Sequence, residues 1–115
     1  MNPKHHIEFA DFQQIDLRIG TVLNAQEFPQ ATKPAYILQI DFGAEIGVLK
    51  SSAQITDLYD ISELEGKQVV AVVYFPAKQI GPIQSQCLVT GFHQQNGSVT
   101  LCVPDEPVPN GSRLC

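Results

Sequence analysis

The sequence is poor in cysteine, and none of its three cysteines belongs to a Cys-x-x-Cys pair. An odd number without that spacing argues against a disulfide framework and indicates a reducing compartment. The first ten residues lack the apolar core of a signal peptide, and no stretch approaches the roughly 18 apolar residues of a membrane-spanning helix. The sequence therefore predicts a cytoplasmic protein without membrane insertion.

Positive charge is also scarce, since 7 Lys and Arg residues stand against 12 Asp and Glu residues, for a formal net charge of -5. A phosphate backbone attracts clustered cations, so this balance opposes non-specific binding of nucleic acid. Any RNA site on this protein must be local and modest in charge.

The motifs that carry catalysis are missing from the sequence. Neither of the phosphate-binding glycine loops, GxxxxGK[ST] and GxGxxG, occurs. His5, His6 and His93 lack the spacing of metal ligands, and no cysteine lies in a nucleophile signature. The sequence thus predicts a protein that is not an enzyme and that holds no metal and no cofactor.

The length of 115 residues fits one compact domain, so we predict a single domain over residues 1–115. Apolar and polar residues alternate from Leu17 to Ala25, which predicts a half-buried strand with Gly20 at a bulge or a sharp bend. The other predicted elements are strands over 36–42, 48–52, 69–75, 87–92 and 98–103, helices over 5–12 and 53–64, and loops over 28–34 and 76–82.

Three strands, a helix and then further strands follow the order of an oligonucleotide-binding barrel. The predicted fold class is all-β with a short helix, a five-stranded OB-fold barrel with N- and C-terminal extensions. Periodicity alone also allows a generic α+β sandwich.

Several sequence blocks carry a family resemblance. They are Phe12 with the run DLRIGTV at 16–22, SSAQIT at 51–56, LEGKQV at 64–69, FPAKQIG at 75–81 and PDEPVPNG at 104–111. Together they resemble the tRNA-binding domain family, which is appended to methionyl-tRNA and phenylalanyl-tRNA synthetases and also occurs free-standing. Residues 40–47 and 50–55 resemble its free-standing chaperone subgroup, which is associated with protein export.

The resemblance implies an oligonucleotide-binding barrel that forms a homodimer, lacks enzymatic activity, and binds tRNA or unfolded polypeptide. In such barrels the second and third strands and the neighbouring loops form the ligand face, where cations and aromatic rings meet the nucleic acid. The predicted nucleic-acid-binding residues are Lys33, Lys50, Ser51, Ser52, Tyr74, Lys78, Ser85 and Gln86. Tyr74, Ala77 and Gln86 depart from the family's usual Asn, Pro and Glu at their positions.

Apolar residues near both chain ends predict the surface through which two copies pair, because a single small barrel leaves such pieces exposed. The predicted interface residues are Ile7, Phe9, Phe12, Pro107, Val108 and Pro109. The alternative is that these residues cap the ends of the barrel.

Two functions remain open from the sequence. The first is a dimeric chaperone for export-related or preprotein polypeptides that also binds tRNA. The second is a stand-alone protein that recognises tRNA or another structured RNA without a chaperone role. A third possibility is an interaction subunit of a larger assembly.

Overall fold

A computed structural model describes residues 5–115, so the first four residues of the predicted domain lie outside the described part. The chain is mostly β, with two short helices. In chain order the elements are α1 (Phe9–Gln13), β1 (Asp16–Glu27), β2 (Tyr36–Asp41), β3 (Val48–Ala53), α2 (Ile61–Leu64), β4 (Gln68–Val73), β5 (Lys78–Ile80), β6 (Ile83–Ser85), β7 (Leu88–Val89), β8 (Gly91–His93) and β9 (Val99–Leu101).

The main sheet is antiparallel and has the order β3-β2-β1-β4-β7. The long strand β1 pairs with β4 over residues 16–21 and with β2 over residues 21–27. One strand shared in this way between two partners curls the sheet into a half-barrel. The structure confirms the predicted all-β fold with five strands of the oligonucleotide-binding type.

A β-bulge interrupts the alternation of β1, because the register with β2 shifts between Val22 and Asn24. The prediction that Leu23 faces inward is wrong: Leu23 is 50% exposed, whereas Val22 is 1% exposed. A bulge adds one residue to one strand and so exchanges its two faces. The bulge lies just beyond Gly20, whose own role is to leave space for the side chains of Ile40 and Phe42.

The core fills the concave side of the curled sheet. Its fully buried large side chains come from β1, β2, β4, α2 and the residue after β2, and they are Val22, Leu38, Ile40, Phe42, Leu64, Val69 and Val73. Burying each side chain of this size stabilises the fold by roughly 1.5–3 kcal/mol. A smaller cluster of Phe28, Ala35 and Ile37 packs against Ile80 and Ile83. This second cluster fixes β5 and β6 beside the main sheet.

The C-terminal tail completes the edge of β1. The N–H of Gly111 donates to the Ile19 carbonyl at 2.8 Å, and the N–H of Leu114 donates to the Leu17 carbonyl at 2.9 Å. Gly111 has a φ of 90°, and a Cβ there would lie 2.6 Å from the Phe42 carbonyl oxygen. The tail can therefore follow β1 only because glycine occupies this position.

Two predicted segments are wrong. The predicted helix over 53–64 shrinks to α2, because Ala53 still belongs to β3 and a capping box between Asp60 and Glu63 starts the helix late. The predicted loop over 76–82 instead holds β5 and the turn to β6, an antiparallel hairpin in which Ile80 pairs with Ile83.

Other predicted boundaries shift as well. The predicted helix over 5–12 is observed as α1, and the predicted strand over 69–75 stops at Val73. It stops because Tyr74 has a φ of 58°, in the left-handed region that a strand cannot use. The predicted strand over 87–92 is divided at Thr90 into β7 and β8.

Candidate functional site

A groove of about 740 Å³ lies between the loop that follows β1 and the hairpin of β5 and β6. Segment 75–76 and residues of β3 and β7 complete its walls. The lining residues are Gln30, Ala31, Thr32, Lys33, Ala35, Ser52, Gln54, Phe75, Pro76, Lys78, Gln79, Ile80, Gly81, Ser85, Cys87 and Leu88. Loops that precede and follow the central strands form the usual ligand face of such barrels.

Four of the eight predicted nucleic-acid-binding residues line this groove: Lys33, Ser52, Lys78 and Ser85. Both lysines are exposed, and among residues 5–115 no Asp or Glu contributes to the lining. The chain has a net charge of -5, yet the charged side chains at the groove are cations. The groove is therefore locally positive, although the chain as a whole has a net negative charge.

The groove also exposes apolar surface. Phe75 is 47% exposed and Leu88 is 51% exposed, although both line a concave site. Cys87 lies at the bottom, 5% exposed, where burial raises the pKa of its thiol to about 11 although a hydrogen bond with Ser51 lowers it in part. A thiol held neutral in this way is a small apolar group and not a nucleophile.

Lys50, Ser51 and Gln86 do not line the groove, and they close the barrel instead. The Ser51 side chain is 1% exposed, and its Oγ donates to the Cys87 carbonyl at 3.1 Å. The N–H of Ser52 donates to Ser85 Oγ at 3.0 Å. These bonds join β3 to the segment before β7, so the serines hold the walls together. Lys50 lies on the same face of β3 as Ser52 but is not among the residues that line the groove.

Tyr74 is exposed but lies apart from the groove lining. Val73 pairs with Asp16, which places Tyr74 at the same end of the strand pair as Ile15. The pKa of Arg18 is raised, first by its hydrogen bond with Asp16, and the Tyr74 phenol is among the nearby groups that contribute. Tyr74, which was predicted to bind nucleic acid, is therefore on the side of Arg18, and Phe75 is the aromatic residue that lines the groove.

Arg18 has a structural role. Its Nε donates to Asp16 Oδ1 at 2.6 Å, and its Nη1 donates to the Gly111 carbonyl at 3.0 Å. The hydrogen bond from Arg18 is the main cause that lowers the pKa of Asp16. The bond from Arg18 Nη1 to the Gly111 carbonyl ties β1 to the C-terminal tail.

Sequence reasoning missed several groove residues, namely Gln30, Thr32, Gln54, Phe75, Gln79, Ile80 and Leu88. Most of them lie in segments interpreted as loops. A signal was present, since Ile80 and Ile83 flank the turn dipeptide Gly81-Pro82, a pattern typical of a hairpin.

An apolar patch lies where α1 meets the C-terminal tail. Helix α1 buries none of its residues; Phe9 is 67% exposed, and its ring centroid lies 6.4 Å from that of Phe12. Arg113 Nη2 donates to the Gln13 carbonyl at 2.8 Å and so holds the tail beside this helix. The exposed members of the patch are Ile7, Phe9, Phe12, Ile15 and Leu114. We call this surface the terminal patch.

The second predicted interface segment, Pro107 to Pro109, lies apart from the terminal patch. The side-chain amide of Gln68 donates to the Val108 carbonyl at 2.7 Å, and its oxygen accepts from the Val108 N–H at 3.1 Å. Pro107 lines a cleft with Thr21 and Lys67, whereas Phe9 and Phe12 line another. The structure thus separates the two segments that the sequence grouped.

Neither a metal cluster nor a spanning helix is present in the described part of the chain. Residues 5–115 contain no group of three or more His, Cys, Asp or Glu side chains placed to hold an ion. No helix among these residues is long and apolar enough to cross a membrane.

Comparison with known proteins identifies the family. The family model described as "Putative tRNA binding domain" matches residues 17–113. This chain belongs to the tRNA-binding domain family. The match covers the groove and every strand except the first residue of β1, Asp16, and it confirms the resemblance carried by the sequence blocks.

Curated relatives in this family include methionine–tRNA ligases. That of Archaeoglobus fulgidus is 34% identical over 116 residues, which is 100% of this chain and 17% of the relative. That of Flavobacterium johnsoniae is 29% identical over 111 residues, which is 96% of this chain and 15% of the relative. The chain thus spans about a sixth of the length of these enzymes.

Solved structures of similar length also match. The chaperone CsaA of Bacillus anthracis is 46% identical with a TM-score of 0.90, and the CsaA chaperone protein of Picrophilus torridus is 44% identical with a TM-score of 0.89. Each match covers 96% of this chain and 100% of the other. A MetRS-related protein of Pyrococcus horikoshii is 26% identical, with a TM-score of 0.85 over 97% of this chain and 100% of that one.

Proposed function

We propose that this chain is a non-enzymatic, homodimeric binding protein of the cytoplasm, a chaperone for export-related polypeptides that also binds tRNA. The groove carries this proposal, because it combines exposed apolar side chains with lysines and has no carboxylate in its described lining. Similarity to proteins named chaperone CsaA, at 44% and 46% identity over nearly the whole chain, supports the chaperone role.

An unfolded polypeptide offers apolar side chains and unpaired backbone groups. Phe75 and Leu88 provide apolar contact area, and the amides of Gln30 and Gln54 provide donors and acceptors. A surface that combines apolar side chains with hydrogen-bonding groups can bind many polypeptide sequences weakly. This is the property required of a protein that shields varied unfolded segments.

A dimer strengthens such weak binding. The terminal patch exposes Ile7, Phe9, Phe12, Ile15 and Leu114 on a domain of 115 residues, and a second copy is the partner whose identical patch would cover it. Two grooves joined in one particle bind one long client with a high effective concentration. We therefore place the dimer interface at this patch.

The experiment that tests the chaperone role measures aggregation of a chemically unfolded client, followed by light scattering, with increasing amounts of the protein. We expect suppression near stoichiometric amounts, and we expect Leu88→Ser or Phe75→Ser to weaken it several-fold. Leu23→Ser is the matched control, since Leu23 is exposed to the same degree as Leu88 but lies outside the groove. No suppression by the wild-type protein at several-fold excess would refute the chaperone role.

A second activity, binding of tRNA, is favoured by the family match and by the cations of the groove. Because lysine contacts with phosphate release counterions, affinity should fall as salt rises, by a slope of about 0.7–0.9 per contact on logarithmic axes. We expect Lys33→Glu and Lys78→Glu to weaken binding of bulk tRNA. Lys67→Glu is the control, because Lys67 lies outside the groove, beside the ring of Tyr59. Affinity insensitive to both salt and these changes would remove the RNA role.

A further inference from the structure

Strand β5 is hydrogen-bonded on one edge only. It forms a two-stranded sheet with β6, and in the described part of the chain no other strand pairs with it. By contrast, β3 is closed by the segment before β7, and the start of β1 is covered by the C-terminal tail. The outer edge of β5 is thus an unpaired row of backbone groups, the kind of edge to which an extended chain can add.

The register of the hairpin identifies the group that faces outward. Ile80 and Ile83 flank the two-residue turn, and residues flanking such a turn exchange both backbone bonds. Since bonded and non-bonded pairs alternate along an antiparallel ladder, Gln79 lies in a non-bonded pair with Gln84. The N–H and C=O of Gln79 therefore point away from β6, and Gln79 is a groove-lining residue.

Packing of the hairpin against the buried core also anchors the outer edge of β5. Ile80 and Ile83 pack against the buried cluster of Phe28, Ala35 and Ile37. At the hairpin tip, an added Cβ on Gly81 would be in ordinary contact with Phe28 and Gln30. This anchoring means that a partner strand would meet a rigid template, which lowers the entropy cost of pairing.

The facing wall of the groove is polar. It carries the exposed side chains of Gln30, Thr32 and Lys33, and none of them is paired with β5 in an observed hydrogen bond. An extended chain laid along β5 would turn its second edge toward these side chains. Its alternate side chains would face Phe75 and Leu88 on one side and solvent on the other.

We propose that the groove binds an extended polypeptide by strand addition to the outer edge of β5, with Gln79 supplying the central pair of backbone hydrogen bonds. The proposal rests on the polypeptide-binding function proposed above and names its mode of recognition. Backbone pairing does not depend on the sequence of the partner, so it explains how one groove accepts many unfolded segments.

The test compares two substitutions at one position. Gln79→Pro removes the outward N–H, and proline is compatible with an edge strand at a residue whose N–H makes no bond within the sheet. Gln79→Ala keeps that N–H and removes only the side chain. With a fluorescent, reduced and alkylated polypeptide as probe, we expect Gln79→Pro to weaken binding about tenfold and Gln79→Ala to change it less than about twofold.

A second measurement leaves the protein unchanged. On the wild-type protein, a short apolar peptide is compared with two copies methylated at alternate backbone nitrogens, one copy for each of the two registers. We expect one of the two methylated copies to bind at least about tenfold more weakly than the unmethylated peptide. If both methylated copies bound as tightly as the unmethylated peptide, and a folded Gln79→Pro variant kept full binding, strand addition would be overturned. If the wild-type protein bound the peptide but Gln79→Pro lost only tRNA binding, the edge would serve RNA and the proposal would also be wrong. Failure of the wild-type protein to bind any unfolded polypeptide would instead refute the proposed function itself.

Discussion

Lys50 and Gln86 hold each other through two hydrogen bonds across the seam of the barrel. The N–H of Gln86 donates to the Lys50 carbonyl at 2.7 Å, and the N–H of Lys50 donates to Gln86 Oε1 at 2.9 Å. A position that the sequence assigned to nucleic-acid contact therefore has its side-chain oxygen engaged in closing the fold. A glutamate at residue 86, as is usual in the family, would keep an oxygen at the same place.

Two substitutions of Gln86 distinguish its effect on stability from its effect on RNA affinity. Gln86→Ala removes the acceptor for the Lys50 N–H and should lower the free energy of unfolding by about 1 kcal/mol. Gln86→Glu keeps an acceptor and should leave stability nearly unchanged, while its added negative charge weakens tRNA binding at low salt. Urea unfolding and tRNA titration of both variants check this. A Gln86→Glu variant as unstable as Gln86→Ala would contradict the role given to the side-chain oxygen.

Gly20 is required by packing. A Cβ at this position would lie 2.5 Å from Ile40 Cγ2 and 2.8 Å from the nearest ring carbons of Phe42, both in the core. We expect Gly20→Ala to lower the free energy of unfolding by about 1–3 kcal/mol, the usual cost of overpacking. Leu23→Ala on the exposed side of the same strand should change it by less than about 0.5 kcal/mol. Thermal or urea unfolding distinguishes the two, and equal stability of both variants would show that the core yields at no cost.

The terminal patch should control assembly. Replacing Phe9 and Phe12 together by Ser removes the ring pair without touching the core, since neither residue of α1 is buried. We expect a monomer by light scattering or sedimentation, with the fold intact. Phe92→Ser is the control, because Phe92 is 69% exposed on the separate hairpin of β8 and β9. A dimer that survives the double substitution would place the interface elsewhere, and the Pro107–Pro109 segment would be the next surface to change.

Burial of Cys87 predicts a loss of stability at high pH. The ordinary thiol value of 9.0 applies to the unfolded chain, whereas burial raises the pKa of Cys87 to about 11 in the folded protein. The neutral thiol is thus favoured by folding, so its contribution is complete below pH 9 and is lost as the pH rises toward 11. The free energy of unfolding should fall between pH 9 and 10, and less steeply in Cys87→Ala than in the exposed control Cys115→Ala. Parallel slopes in the two variants would contradict this assignment.

Local pattern was sufficient for much of the architecture. The strands predicted over 36–42 and 69–75 follow from patterns among neighbours along the chain, and both are observed, as β2 and as β4, although β4 already ends at Val73. It failed where a neighbour distant in sequence decides the outcome. The helix expected over 53–64 has apolar residues at helical spacing, Ile55 and Tyr59. Ala53, however, pairs with Tyr36 as the last residue of β3, and the helix has its N-cap only at Asp60.

The predicted site residues also fall into two groups, those that line the groove and those that do not. Lys33, Ser52, Lys78 and Ser85 were predicted and converge on one groove, because the order of strands in a barrel brings those segments to one face. Ser51 and Gln86 were predicted as ligand contacts and are found in hydrogen bonds that close the barrel. Whether a polar side chain faces solvent or a partner strand depends on strand register, and the bulge in β1 shows that one extra residue reverses it.

The sequence by itself determined the family, the strand-rich fold and the scarcity of positive charge, because these depend on composition, local periodicity and motifs. Only the tertiary structure decided which side chains share a surface. It joined residues 30–35 to residues 75–88 in a groove, left the outer edge of β5 unpaired, and brought Leu114 beside Phe9. Such contacts connect residues far apart in the chain, and their geometry is set by how strands pair and how the core packs, which no local pattern specifies.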